Sequence, residues 1–356
     1  MSVGQVFPEQ YQELLDSKVS RIKENFSLQG LNLPNAPVFT SEPSHYRMRA
    51  EFRVWHQEDD SYYIMFNPET REKIRIDEFP VGGEQINILM VSLREKFLHN
   101  PILRQKLYQV EFLTSTKGQA LVSMIYHRKL EDDWLLEAQK LESELQVKII
   151  GRSKKQKVLV SDNWIQESFT VDGKIFNYLQ YENSFTQPNA GVAQKMLQWA
   201  CDQSESLSGD LLELYCGIGN FTLPLSQHFD AVTATEIAKL SIKTAKMNAD
   251  INNISNIEFL KASSEEYSQN WLKAGQQGKH LNTLFVDPPR AGLDPDTVDL
   301  ARHFDQIIYI SCNPDTLLDN CKSLSNEFTI QEFAFFDQFP YTHHMECGAL
   351  LIKKQA

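Results

Sequence analysis

The most constraining feature of this chain is a change of rhythm near its end. From residue 211 onward, short apolar runs alternate with helical spacers: LLELY (211–215), AVTATE (231–236), IEFLKA (257–262), TLFVD (283–287) and QIIYIS (306–311). Buried strands separated by helix-length spacers form βαβ units and hence a parallel sheet. The last two runs, 329–336 and 347–353, are separated by a loop of only about ten residues. A parallel crossover needs a dozen residues or more, usually a helix. The final strand is therefore expected to run antiparallel, and this half of the chain is expected to be α/β.

The first half has a different pattern. Residues 9–25 read as a helix, and 48–56 (MRAEFRVWH) as a strand with Phe52 and Val54 on one face and Arg49, Glu51 and Arg53 on the other. Further strands are expected at 62–67 and 73–77 around the turn-like NPET, and a hairpin at 107–115 and 119–126 around Lys117-Gly118. Helices fit 84–98 and 130–145, and 147–181 is again strand-like. Strands and helices do not strictly alternate here, which predicts an α+β domain. For 356 residues a two-domain organisation follows, divided as 1–180 and 181–356.

Five cysteines stand at 201, 216, 312, 321 and 347. The odd count and the lack of a CxxC pair argue against a disulfide framework or a zinc finger. A reducing, cytoplasmic setting is the simplest reading. The opening residues show no basic segment followed by an apolar block, and no apolar run approaches the length of a membrane span. The net charge of −12 argues at first against a nucleic-acid partner. However, residues 1–180 carry 23 Lys+Arg against 25 Asp+Glu, so the acidity lies mainly in the second half. The first half holds basic clusters at Arg47, Arg49 and Arg53, at Arg71, Lys73 and Arg75, and at Arg152, Lys154, Lys155 and Lys157. Such patches can bind nucleic acid on an acidic protein, although a single cluster is more simply a solvated face.

The residues with chemical potential gather where strands end. In LLELYCGIGN, Gly217 and Gly219 follow a strand and permit close approach of a ligand. Glu236 ends the next strand, where a carboxylate can bind ribose hydroxyls. Position 222 is Thr where a dinucleotide fingerprint has its third glycine, which favours S-adenosylmethionine over NAD. Asp287 and Arg290, in VDPPRAGLD, stand at the next strand end. Cys312, in YISCNP, stands at the one after; a thiol there acts as a nucleophile where its thiolate is favoured. The loop before an antiparallel last strand begins at the same sheet edge. Glu346 is therefore expected to face Cys312 and Asp287, with His343 and His344 as alternative bases or plain loop residues.

At this point the residues match a known family. The chain resembles the uracil-C5 RNA methyltransferases, and among them the bacterial tRNA (uracil-5-)-methyltransferases. The resemblance rests on SHYRMRAEFRVWH (44–56), FTQPNAGVAQKML (185–197), LLELYCGIGNFTLPL (211–225), ATEIAK (234–239), FVDPPRAGLD (285–294), YISCNP (309–314) and DQFPYTHHMECGALL (337–351). It implies a Rossmann-like methyltransferase sheet, parallel with an antiparallel last strand, plus an N-terminal α+β RNA-binding domain. It also implies methylation at C5 of the T-loop uridine (position 54) of tRNA, giving 5-methyluridine, with S-adenosylmethionine as cofactor and no metal.

By the same resemblance Cys312 is the nucleophile that adds to C6 and Glu346 the base that removes the C5 proton. Gln187, Tyr215, Gly217, Asn220, Glu236 and Asp287 bind the methyl donor; for Gln187 and Asp287 the sequence leaves open contact with the donor, the uracil or both. Arg53 is the candidate RNA contact. Tyr108 is the candidate for the aromatic ring that replaces the flipped base, where the family pattern has phenylalanine. The alternatives for these two are a surface ion pair and core packing. Relatives acting on ribosomal RNA usually carry a four-cysteine iron–sulfur site and a small β-barrel. The first cysteine here is Cys201, and the 9–25 helix leads directly into SHYRMRAEF. Both features favour tRNA over ribosomal RNA and exclude an iron–sulfur cluster from this reading. Transfer-messenger RNA stays open as a second substrate, and tRNA-folding chaperone activity as a role beside or instead of methylation. A monomer without a membrane partner is expected.

Overall fold

The computed structural model describes residues 4–274 and 281–355. They form two compact units that do not divide at residue 180. One comprises residues up to Pro8, Glu42–Ser168 and Leu179–Ala190; the other comprises Glu9–Ser41, Phe169–Tyr178 and Gly191 to the C-terminus. The early helix thus belongs with the C-terminal half. Its apolar stripe explains why: Leu15, Val19, Ile22 and Phe26 recur at helical spacing and are buried in the same core as Leu212, Leu284 and Ile307.

The first unit is built on a seven-stranded sheet in the order Lys73–Ile76, Asp60–Phe66, Arg49–Gln57, Leu107–Thr114, Ala120–Tyr126, Lys148–Ser153, Gln156–Leu159. Neighbours are antiparallel except Ala120–Tyr126 and Lys148–Ser153. Those two are parallel because the helix Asp132–Leu145 carries the chain back between them. Alternation places Phe52 and Val54 inward, as the sequence predicts, against Ile86, Leu93 and Phe97 of the helix Glu84–Leu98 and Trp134 of the second helix. The hairpin Trp164–Val171/Lys174–Tyr181 turns at Asp172-Gly173, both with positive φ.

The second unit holds an eight-stranded sheet. Its order is Val38–Phe39, Phe328–Phe336, Glu346–Lys353, Gln306–Ser311, Leu281–Val286, Asp210–Leu214, Ala231–Glu236, Ile257–Lys261. Every pairing is parallel except those of Glu346–Lys353, which is antiparallel to both neighbours. The chain leaves Asp210–Leu214 toward one side of the sheet and Leu281–Val286 toward the other. The crevice for a ligand in such a sheet opens at the carboxyl ends of the strands where this reversal occurs. The two-residue edge strand Val38–Phe39 is too short to leave a periodic signal. No helix among the described residues is long and apolar enough to cross a membrane.

Candidate active site

Four strand ends build the crevice. After Leu214 the chain turns sharply, with Tyr215, Gly217 and Gly219 at φ 64°, 55° and 86°. The two glycines do different work. A Cβ on Gly217 would meet nothing within 4 Å, so its bare backbone faces open space. A Cβ on Gly219 would meet Leu223 Cδ1 at 2.7 Å, so that glycine lets the turn pack on the following helix. Asn248, fully buried, supports the loop from below by donating to Ile218 O at 2.9 Å. Asn220 O accepts from the Tyr178 hydroxyl at 3.0 Å.

Glu236, at the end of the neighbouring strand, ties the same loop down. Its carboxylate accepts from Gly217 N–H at 3.2 Å and from Ala238 N–H at 2.7 Å. Ile237 beside it is 65% exposed, an apolar surface at the strand end that sequence reading did not single out. Open space over Gly217, a carboxylate at Glu236 and an exposed aliphatic side chain suit a ribose bearing a flat aromatic base.

The next group of polar side chains lies two strands from the glycine turn, across Leu281–Val286. Ser311 is in register with Cys347, so Cys312 and Glu346 leave the sheet side by side on adjacent antiparallel strands. Cys312 is partly exposed and immediately precedes Asn313, the N-cap of the helix Pro314–Leu324. Asn313 also donates to Arg290 O at 3.0 Å, joining the DPPR turn to the thiol's loop. Opposing influences act on the sulfur. Burial, then the charges of Glu346 and Asp287, push the Cys312 thiol up to about 11, while Arg290 pulls it down. The helix N-terminus also favours the thiolate. Glu346 is 4% exposed, and burial together with Asp287 raises its carboxyl well above the usual range. Burial pushes Asp287 up to about 7. His344 is held low, to about 4, by burial and by Arg290, whose guanidinium contacts its ring. Five free thiols are present, and the four other than Cys312 are buried.

Sequence reading also passed over Glu213. It is 1% exposed, its Oε2 has no hydrogen-bond partner, and burial with the charge of Asp287 raises its carboxyl to about 8. An unfolded glutamate titrates near 4.3. A group raised on folding stabilises fully below its unfolded pKa, and that stability is lost as pH rises through the folded value. The wild-type melting temperature should therefore fall between about pH 5 and pH 8.5, and Glu213→Gln should flatten the fall by several degrees. Thermal melts at both pH values check this; an unchanged slope in the variant contradicts it.

Gln187, Arg53 and Tyr108 belong to the first unit. Gln187 is partly exposed in the segment between Glu182 and Asn189. Tyr108 is the extra residue of a β-bulge: Leu107 pairs with Tyr126 and Gln109 with Ile125. A bulge re-aims a side chain, and here Tyr108 leaves the core and stacks on His127 with centroids 3.9 Å apart and planes at 25°. The Arg53 guanidinium lies 3.9 Å from the same ring. Arg53, Tyr108 and His127 thus form one partly exposed stack. Its third member was absent from the sequence reading because only the bulge brings it alongside.

The sheet order, the antiparallel last strand and the glycine turn under Glu236 define a Rossmann-like methyltransferase. The pattern of the tRNA (Uracil-5-)-methyltransferase family matches residues 10–354, and the chain belongs to that family. A relative from Shewanella amazonensis is 48% identical over 367 aligned residues, covering 99% of this chain and 100% of the relative. One from Acinetobacter baylyi is 48% identical, covering 96% and 98%. Both bear the name tRNA/tmRNA (uracil-C(5))-methyltransferase. The fold is also similar to the crystal structure of a Pyrococcus abyssi tRNA (uracil-54, C5)-methyltransferase in complex with S-adenosyl-L-homocysteine. The TM-score is 0.74 and the identity 24%, over 96% of this chain and 83% of that one.

Proposed function

We propose that the protein methylates C5 of the T-loop uridine of tRNA, position 54, using S-adenosylmethionine, and that the similar loop of transfer-messenger RNA is a second substrate. The observation that carries this is the juxtaposition, fixed by the Ser311–Cys347 register, of a thiol and a buried carboxyl at the sheet's ligand-binding edge. C5 of uracil is a poor nucleophile. Addition of the Cys312 thiolate to C6 places enolate character on C5. S-adenosylmethionine, when bound, supplies the methyl group as a sulfonium electrophile. Glu346 then takes the C5 proton as general base, the C5–H electron pair restores the C5–C6 double bond, and the C6–Sγ bond breaks to release the thiolate.

The cofactor fits the residues present in the second unit: Gly217 leaves it room, Glu236 and Asp287 offer carboxylates, and Tyr215 and Asn220 complete the set there. Every group invoked belongs to one chain, so the reading needs no second copy. The free thiols suit a reducing compartment such as the cytoplasm.

The target base sits inside a folded loop and must be flipped out to reach Cys312. The first unit is read as the RNA-recognition part, with Tyr108 stacking where the base leaves in place of one of its present ring partners, His127 or Arg53. A base–aromatic stack contributes about 1–3 kcal/mol. Tyr108→Ala should accordingly weaken T-arm binding roughly 5- to 150-fold and leave S-adenosylmethionine affinity unchanged; equilibrium binding of each ligand checks this. The function itself is tested by labelled methyl transfer to T-arm and ribosomal RNA transcripts. Labelling of the T-arm at the loop uridine supports the reading, and labelling of ribosomal RNA alone contradicts it.

A further inference from the structure

The loop that delivers Glu346 runs from Asp337 to Met345, between the antiparallel strands Phe328–Phe336 and Glu346–Lys353. The last register pair before the loop is Phe336 with Glu346 itself. Where Glu346 sits therefore depends on what holds the loop just beyond that pair. The chain's early helix, Tyr11–Leu28, supplies the hold from more than three hundred residues away in sequence.

Lys18 lies on the buried stripe of that helix, between Leu15 and Ile22, and is 7% exposed. Its ammonium has three N–H donors and three acceptors, all in this loop. It makes an ion pair with Asp337, donates to Phe339 O at 3.2 Å and donates to His344 O at 3.2 Å. Asp337 follows Phe336 directly, and His344 precedes Glu346 by two residues. One nitrogen therefore joins the outgoing and the returning end of the loop. Two neighbours on the helix extend the clamp. Arg21 donates to His343 O at 2.9 Å. Tyr11 packs edge-on against Tyr341 with centroids 6.0 Å apart, at a residue held in the left-handed region, φ 61°. A buried lysine is costly to desolvate and is retained where its charge is fully paired. Core packing alone does not call for an ammonium at this position.

We propose that Lys18 is a positioning residue for proton abstraction. It sets the returning end of the loop so that the Glu346 carboxylate meets the C5 proton of the methylated, Cys312-bound uracil. The inference rests on the proposed function. In that sequence Cys312 forms its bond to C6 and C5 gains its methyl before Glu346 acts. Only the last event, transfer of the C5 proton to the carboxylate with expulsion of the Cys312 thiolate, depends on the loop.

The two stages separate experimentally. With 5-fluorouridine in the T-arm, C5 carries no proton to remove, so the covalent adduct forms and stays whatever the position of Glu346. With ordinary uridine, turnover needs the proton removed. Lys18→Met, assayed in the full chain with S-adenosylmethionine, should form the 5-fluorouridine adduct at a rate within about 3-fold of wild type. On ordinary uridine its kcat should fall about 30-fold or more, the range set by a mispositioned general base. Protein covalently bound to methylated RNA should then accumulate. A parallel loss of both rates, or an unchanged kcat, overturns the proposal. Should Lys18→Met fail to fold, Lys18→Arg carries the same comparison. It keeps the charge but cannot place three donors of one nitrogen on the two ends of the loop. Absence of any adduct with the wild-type protein would count instead against the proposed function.

Discussion

Replacing Cys312 with alanine is expected to reduce methyl transfer on the order of 10⁴-fold or more, the scale seen when a covalent nucleophile is removed. Without addition to C6, C5 of uracil has no electron density to offer an incoming methyl group. No other thiol can substitute: Cys201, Cys216, Cys321 and Cys347 are buried, and burial raises the thiol of each. The variant should nevertheless fold normally. Cys312 is partly exposed and lies outside the strand Gln306–Ser311 and the helix Pro314–Leu324, whose cap is Asn313. Stability should stay within about 0.5 kcal/mol of wild type. Single-turnover methyl transfer and a denaturant melt measured on the same preparation check both halves. Residual activity above a few per cent would show that the thiol is not the nucleophile.

Replacing Glu346 with glutamine should instead stop the reaction late. The residue is buried, and burial with the charge of Asp287 raises its carboxyl well above the usual range, so an amide of similar shape disturbs packing little. Turnover should fall about 10²- to 10⁴-fold, the contribution of a positioned base, while covalent protein–RNA adduct accumulates on ordinary uridine. The variant also carries a pH signature. The Glu346 charge is among the causes that hold the Cys312 thiol up, after burial and ahead of Asp287. Removing it lowers the thiol's pKa, so adduct formation in Glu346→Gln should reach its half-maximal rate at a lower pH than in wild type. In the wild type, both groups must lose a proton and both are held high, so kcat/KM should climb from acid through neutral pH. Stopped reactions resolved on denaturing gels across pH 6–9 check this; turnover lost without adduct contradicts Glu346 as the base.

Much of this site is legible in the sequence because strand ends are legible. Apolar runs of five or six residues locate the parallel strands, and the residue after each run falls at the ligand-binding edge, which is how Asp287 and Cys312 can be placed together. The short 337–346 connection forces the antiparallel turn that puts Glu346 beside them. The parts that stay hidden depend on tertiary accidents of register and packing. His127 joins Tyr108 only through a one-residue bulge, which pattern reading cannot place. Glu213 looks like one polar residue in an apolar run, and its orphaned oxygen is visible only once the sheet is assembled. The division of the chain near 180 fails for the early helix because composition carries no record of which core its stripe enters. That stripe did hold a clue. Lys18 falls between Leu15 and Ile22 on the apolar face, and a lysine there needs a buried partner.

The central claim is that Cys312 attacks the T-loop uridine and that methyl transfer follows on the bound base. Its most direct test is the intact mass of the protein after incubation with S-adenosylmethionine and a T-arm hairpin carrying 5-fluorouridine at the target position. The account expects a species equal to protein plus RNA plus one methyl group, absent in Cys312→Ala. RNA that binds but yields no such species, or an adduct that persists in Cys312→Ala, would contradict it.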